Sequence, residues 1–257
     1  MTDNNNPFEQ DKDDQPKPER YRSQEGFIDA TIIRGATELQ PLWDEVNGKN
    51  CFVCGGYVRW MCSPNHSPEL AKDVDVYCKN QGAFDYLQNV MENKFSMEQR
   101  WSNDMSIGYK TPKESSHPLF ALPQINIIRP VLEARVVAQG SMEEIISNFD
   151  FTVVRCAVVS LSAKLALVDA DFMHDEEKKI LRLKNIHCPV SSTMRCMKYS
   201  RKNYFLPPFE ALKLFLDWSD RNDEYRAKLI DFLEKAEGED GLSKEEIEEM
   251  EEMMRID

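Results

Sequence analysis

The sequence predicts an α+β protein: a head with a small mixed sheet and flanking helices, followed by a short all-α segment. Three observations carry this. Up to about residue 159, short β-rich runs alternate with helical pieces; from Ser160 onward, apolar residues recur at helical spacing. The excess of acidic charge lies in the two ends rather than in the body.

Residues 1–22, dominated by Asn, Asp, Gln, Lys and Pro, bury too little to order and are expected to form a disordered tail. Residues 23–159 form the head. Its clearest strands are Cys51-Phe52-Val53, Val74-Asp75-Val76-Tyr77 and Ile125-Asn126-Ile127-Ile128, with helices expected over 37–47, 82–94 and 142–147. Residues 160–235 form the helical segment, with helices expected over 161–167, 175–183, 191–203 and 207–235; Pro207-Pro208 separates the last two. Residues 236–257 form an acidic tail in which Ile247, Met250, Met253 and Met254 fall at helical spacing.

Composition narrows the classes. The 257 residues are 41 % hydrophobic, adequate for a core, and no apolar run approaches the roughly 18–20 residues that cross a membrane. The polar N-terminus does not read as a secretory signal. Seven cysteines in no framework spacing read as reduced thiols, so a cytoplasmic protein is expected. Cys51 and Cys54 form a lone CxxC with no second ligand pair at zinc-finger distance, which makes a zinc site a minor alternative. Net charge is −13, of which residues 234–257 hold −8 and residues 1–22 hold −2. The remaining body is therefore nearly neutral, which allows a local basic patch.

Two features point to chemistry. Phe52-Val-Cys-Gly55-Gly56-Tyr-Val-Arg59 reads as a strand, a glycine pair and a helix start. Glycines there let backbone N–H groups approach a phosphate, with Arg59 as an added cation. Then Lys72-Asp73-Val-Asp75-Val-Tyr77 reads as a strand, and residues two apart on a strand share a face. Two carboxylates side by side repel, and a divalent cation relieves the repulsion; Mg²⁺ or Mn²⁺ is the expected cofactor. A turn and an exposed strand end would give the same residues without a ligand.

Together these segments resemble the head of the DNA polymerase β superfamily of nucleotidyltransferases, most of all class II tRNA nucleotidyltransferases and bacterial poly(A) polymerases. Gly140-Ser-Met-Glu143-Glu144, running on to Asp150-Phe151-Thr152, is similar to that family's Gly-Thr-x-Glu-Glu and Asp-Phe-Thr. Lys179-Ile-Leu-Arg182 and Met194-Arg195-Cys-Met-Lys198-Tyr199-Ser-Arg201 resemble its neck helices. The resemblance covers about residues 50–205. It implies a nucleoside triphosphate substrate, metals on Asp73 and Asp75, a triphosphate cradled by Gly55, Gly56 and Arg59, and Asp150 on the sugar. Arg195 and Lys198 join the nucleotide-binding set. The implied reaction moves NMP from the triphosphate to an acceptor hydroxyl, an RNA 3′ end among the candidates.

The departures bear on activity. The acid expected after Arg59 is Trp60. The strand that should carry a third carboxylate reads Gln124-Ile-Asn126-Ile-Ile128-Arg129, offering amides, with Asn126 as the candidate third ligand and Glu133 further along. The family's Arg-Arg before Asp-Phe-Thr is Asn148-Phe149, and its base-reading element aligns with Cys188-Pro189-Val190-Ser191-Ser192. About fifty residues follow the neck, too few to hold tRNA as the family does. The alternative is therefore a degenerate nucleotidyltransferase fold that binds nucleotide or a partner without efficient catalysis. Residues 194–204 add Arg195, Lys198, Arg201 and Lys202 with Tyr199 and Tyr204, which read equally as a strand-binding face with stacking rings or as a solvated basic face. The four histidines, His66, His117, His174 and His187, are scattered and suggest no triad. Oligomeric state is not legible in the sequence.

Overall fold

A computed structural model describes residues 26–64, 71–132, 135–136, 140–186, 189–219, 227, 230 and 231. The tail 1–22, the acidic tail 236–257, Glu133, His66, His187, Cys188 and most of 220–235 lie outside the described residues.

The chain begins with strand β1 (Phe27–Thr31), helix α1 (Ala36–Val46), β2 (Cys51–Cys54) and α2 (Gly56–Cys62). Then come β3 (Asp73–Cys78), α3 (Gln81–Asn89) with a π-helical turn over Val90–Lys94, β4 (Glu98–Ser102), β5 (Ser106–Lys110) and β6 (Gln124–Ile128). A small hairpin of β7 (Val131–Leu132) and β8 (Arg135–Val136) precedes α4 (Met142–Ser147), β9 (Cys156–Ser160), β10 (Leu165–Asp169), α5 (Phe172–Lys178), α6 (Pro189–Ser200) and α7 (Pro208–Ser219).

Eight strands form one mixed sheet in the order β1-β10-β9-β2-β3-β6-β5-β4. Among the described residues, only β3 and β6 run parallel within it. Parallel neighbours require a crossover, and the chain supplies one through α3 and the β4–β5 hairpin. One sheet face carries the main core: Val53, Val74, Val76, Ile125, Ile127, Val158 and Val168 pack with Leu39, Leu42 and Val46 of α1, Val58 and Met61 of α2, and Phe84 and Leu87 of α3. Each such side chain contributes on the order of 1.5–3 kcal/mol by leaving water. The other face is covered in part by α4, whose Ile145 and Ile146 meet Cys54, Ala157 and Leu167, with Phe52 and Tyr77 beside them. Alternation along β3 sends Val74, Val76 and Cys78 into the main core and leaves Asp73, Asp75 and Tyr77 on the second face.

The sequence-based expectation needs correction at three places. The helix expected over 161–167 is the turn and second strand of the β9–β10 hairpin, so the sheet continues past the boundary placed at residue 159. Its spacing of Leu161, Leu165 and Val168 suits a helix, but the segment pairs with β1 on one side and β9 on the other, and alternation sends Ala166 and Val168 into the main core. The helix expected over 175–183 is α5, shifted toward the N-terminus and closed by Lys179 at φ 55°; Leu181 and Leu183 follow as extended chain, both buried. The helix expected over 191–203 ends at Ser200, and Lys202 lies in the turn beyond it. Pro208 opens α7, where its missing N–H costs nothing. A second core of Phe151, Val153, Leu181, Leu183, Cys196, Tyr199, Tyr204 and Leu214 docks α6 and α7 on the segment after α4.

Candidate functional site

The two aspartates sit on neighbouring same-face positions of β3, both half-buried. Burial and then the charge of Asp73 push the Asp75 carboxyl up to about 6, against which the Asn126 amide and the charges of Lys198 and Arg195 favour its ionised form. The pair is thus crowded, and cations from α6 face it across the site.

Gly55 stands over the pair. Its φ of 79° with ψ of −142° belongs to glycine, and a Cβ there would lie 3.7 Å from Asp75 Oδ2 and 3.7 Å from Phe149. Its N–H donates to the Cys156 carbonyl at 2.9 Å, which ties the turn to β9. At Gly56 the space where a Cβ would stand is open to 4 Å. The glycine pair therefore brings the start of α2 against Asp75, as the sequence spacing suggests.

The parallel pairing of β3 and β6 fixes which side chains stand beside the aspartates. Asp73 faces Gln124 and Asp75 faces Asn126. Asn126 Nδ2 donates to Asp75 Oδ1 at 2.9 Å; Gln124 Nε2 donates to Asn126 Oδ1 at 2.8 Å; Arg100 Nη1 donates to Gln124 Oε1 at 3.3 Å. An amide chain thus runs from an arginine to a carboxylate. Asn126 thus accepts from Gln124 through its oxygen and donates to Asp75 through its nitrogen.

Asp150 lies at the joint between head and helices. It is 5 % exposed, and its Oδ2 accepts from Arg195 Nη1 at 2.7 Å and from Ser192 Oγ at 3.1 Å. The preceding helix is fixed by a capping box in which the Ser141 hydroxyl accepts from the Glu144 N–H and the Glu144 carboxylate accepts from the Ser141 N–H. Phe151 enters the second core, and Thr152 donates its hydroxyl to Asp175 at 2.7 Å. The Asp-Phe-Thr segment is in this form a structural joint that holds Arg195 near Asp75. Lys198, one turn further on α6, is exposed.

Arg59 is placed away from the aspartates. It is 5 % exposed, with Nη1 2.5 Å from the Tyr204 hydroxyl and 3.5 Å from Glu176 Oε1. Its guanidinium lies over the Tyr199 and Tyr204 rings, and its Nε has no partner. Glu176 also accepts from Ser63 Oγ at 2.6 Å and from Lys179 Nζ at 2.9 Å. Arg59 is thus a buried post between α2, α5 and the turn after α6, and not a free cation on a triphosphate. Tyr199 and Tyr204, candidates for base stacking, are buried in the same joint. This cluster was invisible in the sequence because Glu176 is 117 residues from Arg59.

Cys51 and Cys54 fall on opposite sheet faces, Cys51 in the main core and Cys54 under α4, so they do not share an ion. Among the described residues, no group of three or more His, Cys, Asp and Glu side chains gathers around one point. The donor set that fits a hard cation is the Asp73–Asp75 pair. Mg²⁺ is held in this manner, through one or two carboxylates with water and substrate phosphates completing the shell.

The fold is that of a nucleotidyltransferase-type head, with β2, β3 and β6 at the centre of its sheet. The chain is similar to the Thermotoga maritima CCA-adding enzyme solved in complex with tRNA, at 12 % identity and TM-score 0.50 over 74 % of this chain and 45 % of that one. An apo CCA-adding enzyme matches at 15 % identity and TM-score 0.47, over 86 % of this chain and 50 % of that one. A tRNA nucleotidyltransferase solved with a primer tRNA and an incoming ATP analogue matches at 20 % identity and TM-score 0.42, over 64 % and 45 %. The chain thus spans half the length or less of these three structures. No curated protein sequence matches it. Residues 24–179 match the Gabija anti-defense 2 family, and the chain belongs to that family. Among the described residues, no helix is long and apolar enough to cross a membrane.

Proposed function

We propose that this protein transfers a nucleoside monophosphate from a nucleoside triphosphate to an acceptor hydroxyl, and that the reaction counters the Gabija defense for which its family is named. The observation that carries the reading is the Asp73–Asp75 pair on β3, with Gly55 against Asp75 and the charges of Arg195 and Lys198 directed at it.

Asp73 and Asp75 would hold Mg²⁺ or Mn²⁺, which when bound neutralises charge on the triphosphate. The glycine turn lets backbone come close to the phosphates, and its open side lies over Gly56. Arg195, held by Asp150, and Lys198 set positive charge on the α6 side of the same space. The hydroxyl oxygen attacks the α-phosphorus, pyrophosphate leaves, and the hydroxyl proton must find a base. Gln124 and Asn126 supply none, so the proton passes to water, and transfer is slow compared with an enzyme carrying an acid at position 126.

The amide chain also favours a second reading, in which the head binds nucleotide and acts by occupancy alone. One experiment separates the two. The protein is incubated with each labelled triphosphate, Mg²⁺ or Mn²⁺, and either total RNA or the Gabija proteins. Incorporation that disappears in Asp73→Ala/Asp75→Ala supports transfer. Cation-dependent nucleotide binding without incorporation, with Gabija still countered, would establish the second reading instead.

A further inference from the structure

Beside Asp73 lies a cleft of about 850 Å³, lined from β4, β5, β6 and the segment 111–123. Its wall carries Lys72, Arg100, Lys110 and Lys113 against two carboxylates, Asp73 and Glu98. In a chain of net charge −13, such a local excess of cations stands out. Intramolecular pairing uses little of it. Lys110 reaches Glu98 only at 4.0 Å with both side chains exposed, and Arg100 makes the 3.3 Å bond to Gln124. Phe120 is 48 % exposed at the same cleft, beside Pro112, Leu122 and Pro123. The volume is at the upper end of small-ligand sites, about 300–1,000 Å³, which admits a strand end and not a duplex.

We infer that this cleft binds a single-stranded nucleic acid, its phosphates against Lys72, Arg100, Lys110 and Lys113 and a base on the Phe120 ring. Cations alone would suit any polyanion. The exposed aromatic ring among them selects a strand with bases to stack. The cleft opens on Asp73 and Gln124, the edge of the site nearest the vacant third-acid position. If the transfer proposed above holds, on which this last step rests, the strand's terminal hydroxyl is the acceptor. Its oxygen bonds to the α-phosphorus as the bond to pyrophosphate breaks, and its proton leaves to solvent.

The test is fluorescence anisotropy of a labelled single-stranded oligonucleotide of about 8 nucleotides at two salt concentrations. Expected are binding that weakens with salt, and a loss of about tenfold in each of Lys110→Gln/Lys113→Gln and Phe120→Ala, with a smaller salt slope only in the first. All three positions are solvent-exposed, and thermal melting confirms folding. EDTA abolishes transfer and leaves strand binding intact, so loss of the reaction and loss of the cleft are separate outcomes. No oligonucleotide binding, or binding indifferent to these substitutions, overturns the inference. Binding of poly-L-glutamate through the same residues, in preference to the oligonucleotide, overturns it in favour of an acidic polypeptide.

Discussion

Glu176 offers the sharpest test of how the site is held. Its side chain is fully buried and accepts from Ser63, Lys179 and Tyr204, with Arg59 at 3.5 Å. Arg59 is 5 % exposed and already has one unpartnered nitrogen, so removing Glu176 strands a buried guanidinium whose remaining hydrogen-bond acceptor is the Tyr204 hydroxyl. Breaking one side of such a pair costs about 3–5 kcal/mol, whereas replacing both sides with apolar residues of similar volume is near neutral. Glu176→Ala is therefore expected to lower the unfolding free energy by about 3–5 kcal/mol, measured by urea titration with tryptophan fluorescence. Arg59→Met/Glu176→Leu should recover all but about 1–2 kcal/mol. A loss below about 1 kcal/mol for Glu176→Ala, or a double substitution as costly as the two singles summed, refutes the reasoning. The consequence reaches the site because α2, which carries Arg59, starts at the glycine pair.

Three other outcomes follow from the geometry. The Asp75 carboxyl is raised in the folded protein to about 6, so the stability linked to it is present below the unfolded pKa near 4 and is lost as pH rises through 6. Asp75→Asn should then stabilise the cation-free protein at pH 7 by about 1–2 kcal/mol and leave it unchanged at pH 4, as read by thermal melting in EDTA; a destabilised variant at pH 7 would contradict this. Gly55→Ala should cost about 1–3 kcal/mol through its φ of 79° and ψ of −142°, with space not the limiting factor at 3.7 Å, and urea titration measures it. Asn126→Asp places a third carboxylate against Asp75; it should destabilise the cation-free protein, tighten Mn²⁺ binding by calorimetry and speed transfer, and unchanged Mn²⁺ affinity would contradict the register.

The placement of the glycine turn and of the two aspartates was legible because its signals are local. Gly55-Gly56 and the alternating Asp73 and Asp75 depend on near neighbours in sequence, and alternation alone places both acids on one face. The sequence placed Gln124 and Asn126 where the resembling family carries an acid, and the pairing of β6 beside β3 sets these two amides next to Asp73 and Asp75. What escaped depended on distant partners. Arg59 looks like a phosphate ligand until Glu176 and Tyr204 arrive from the far end of the chain, and the same joint buries Tyr199. The β9–β10 hairpin escaped because Leu161 to Val168 satisfies both periods, and the decision rests with the edge that β1 and β2 leave open. The basic cleft escaped because Lys72, Arg100, Lys110 and Lys113 come from separate segments, none of them basic enough to notice alone.

The proposed function rests on a cation-dependent nucleotide site at Asp73 and Asp75. Titration calorimetry with non-hydrolysable triphosphates tests it most directly, run with Mg²⁺, with EDTA, and with Asp73→Ala/Asp75→Ala. Binding of at least one triphosphate with Mg²⁺ is expected, lost in EDTA and in the double variant while the variant remains folded. Binding of equal strength in the double variant, or with EDTA present, would contradict it.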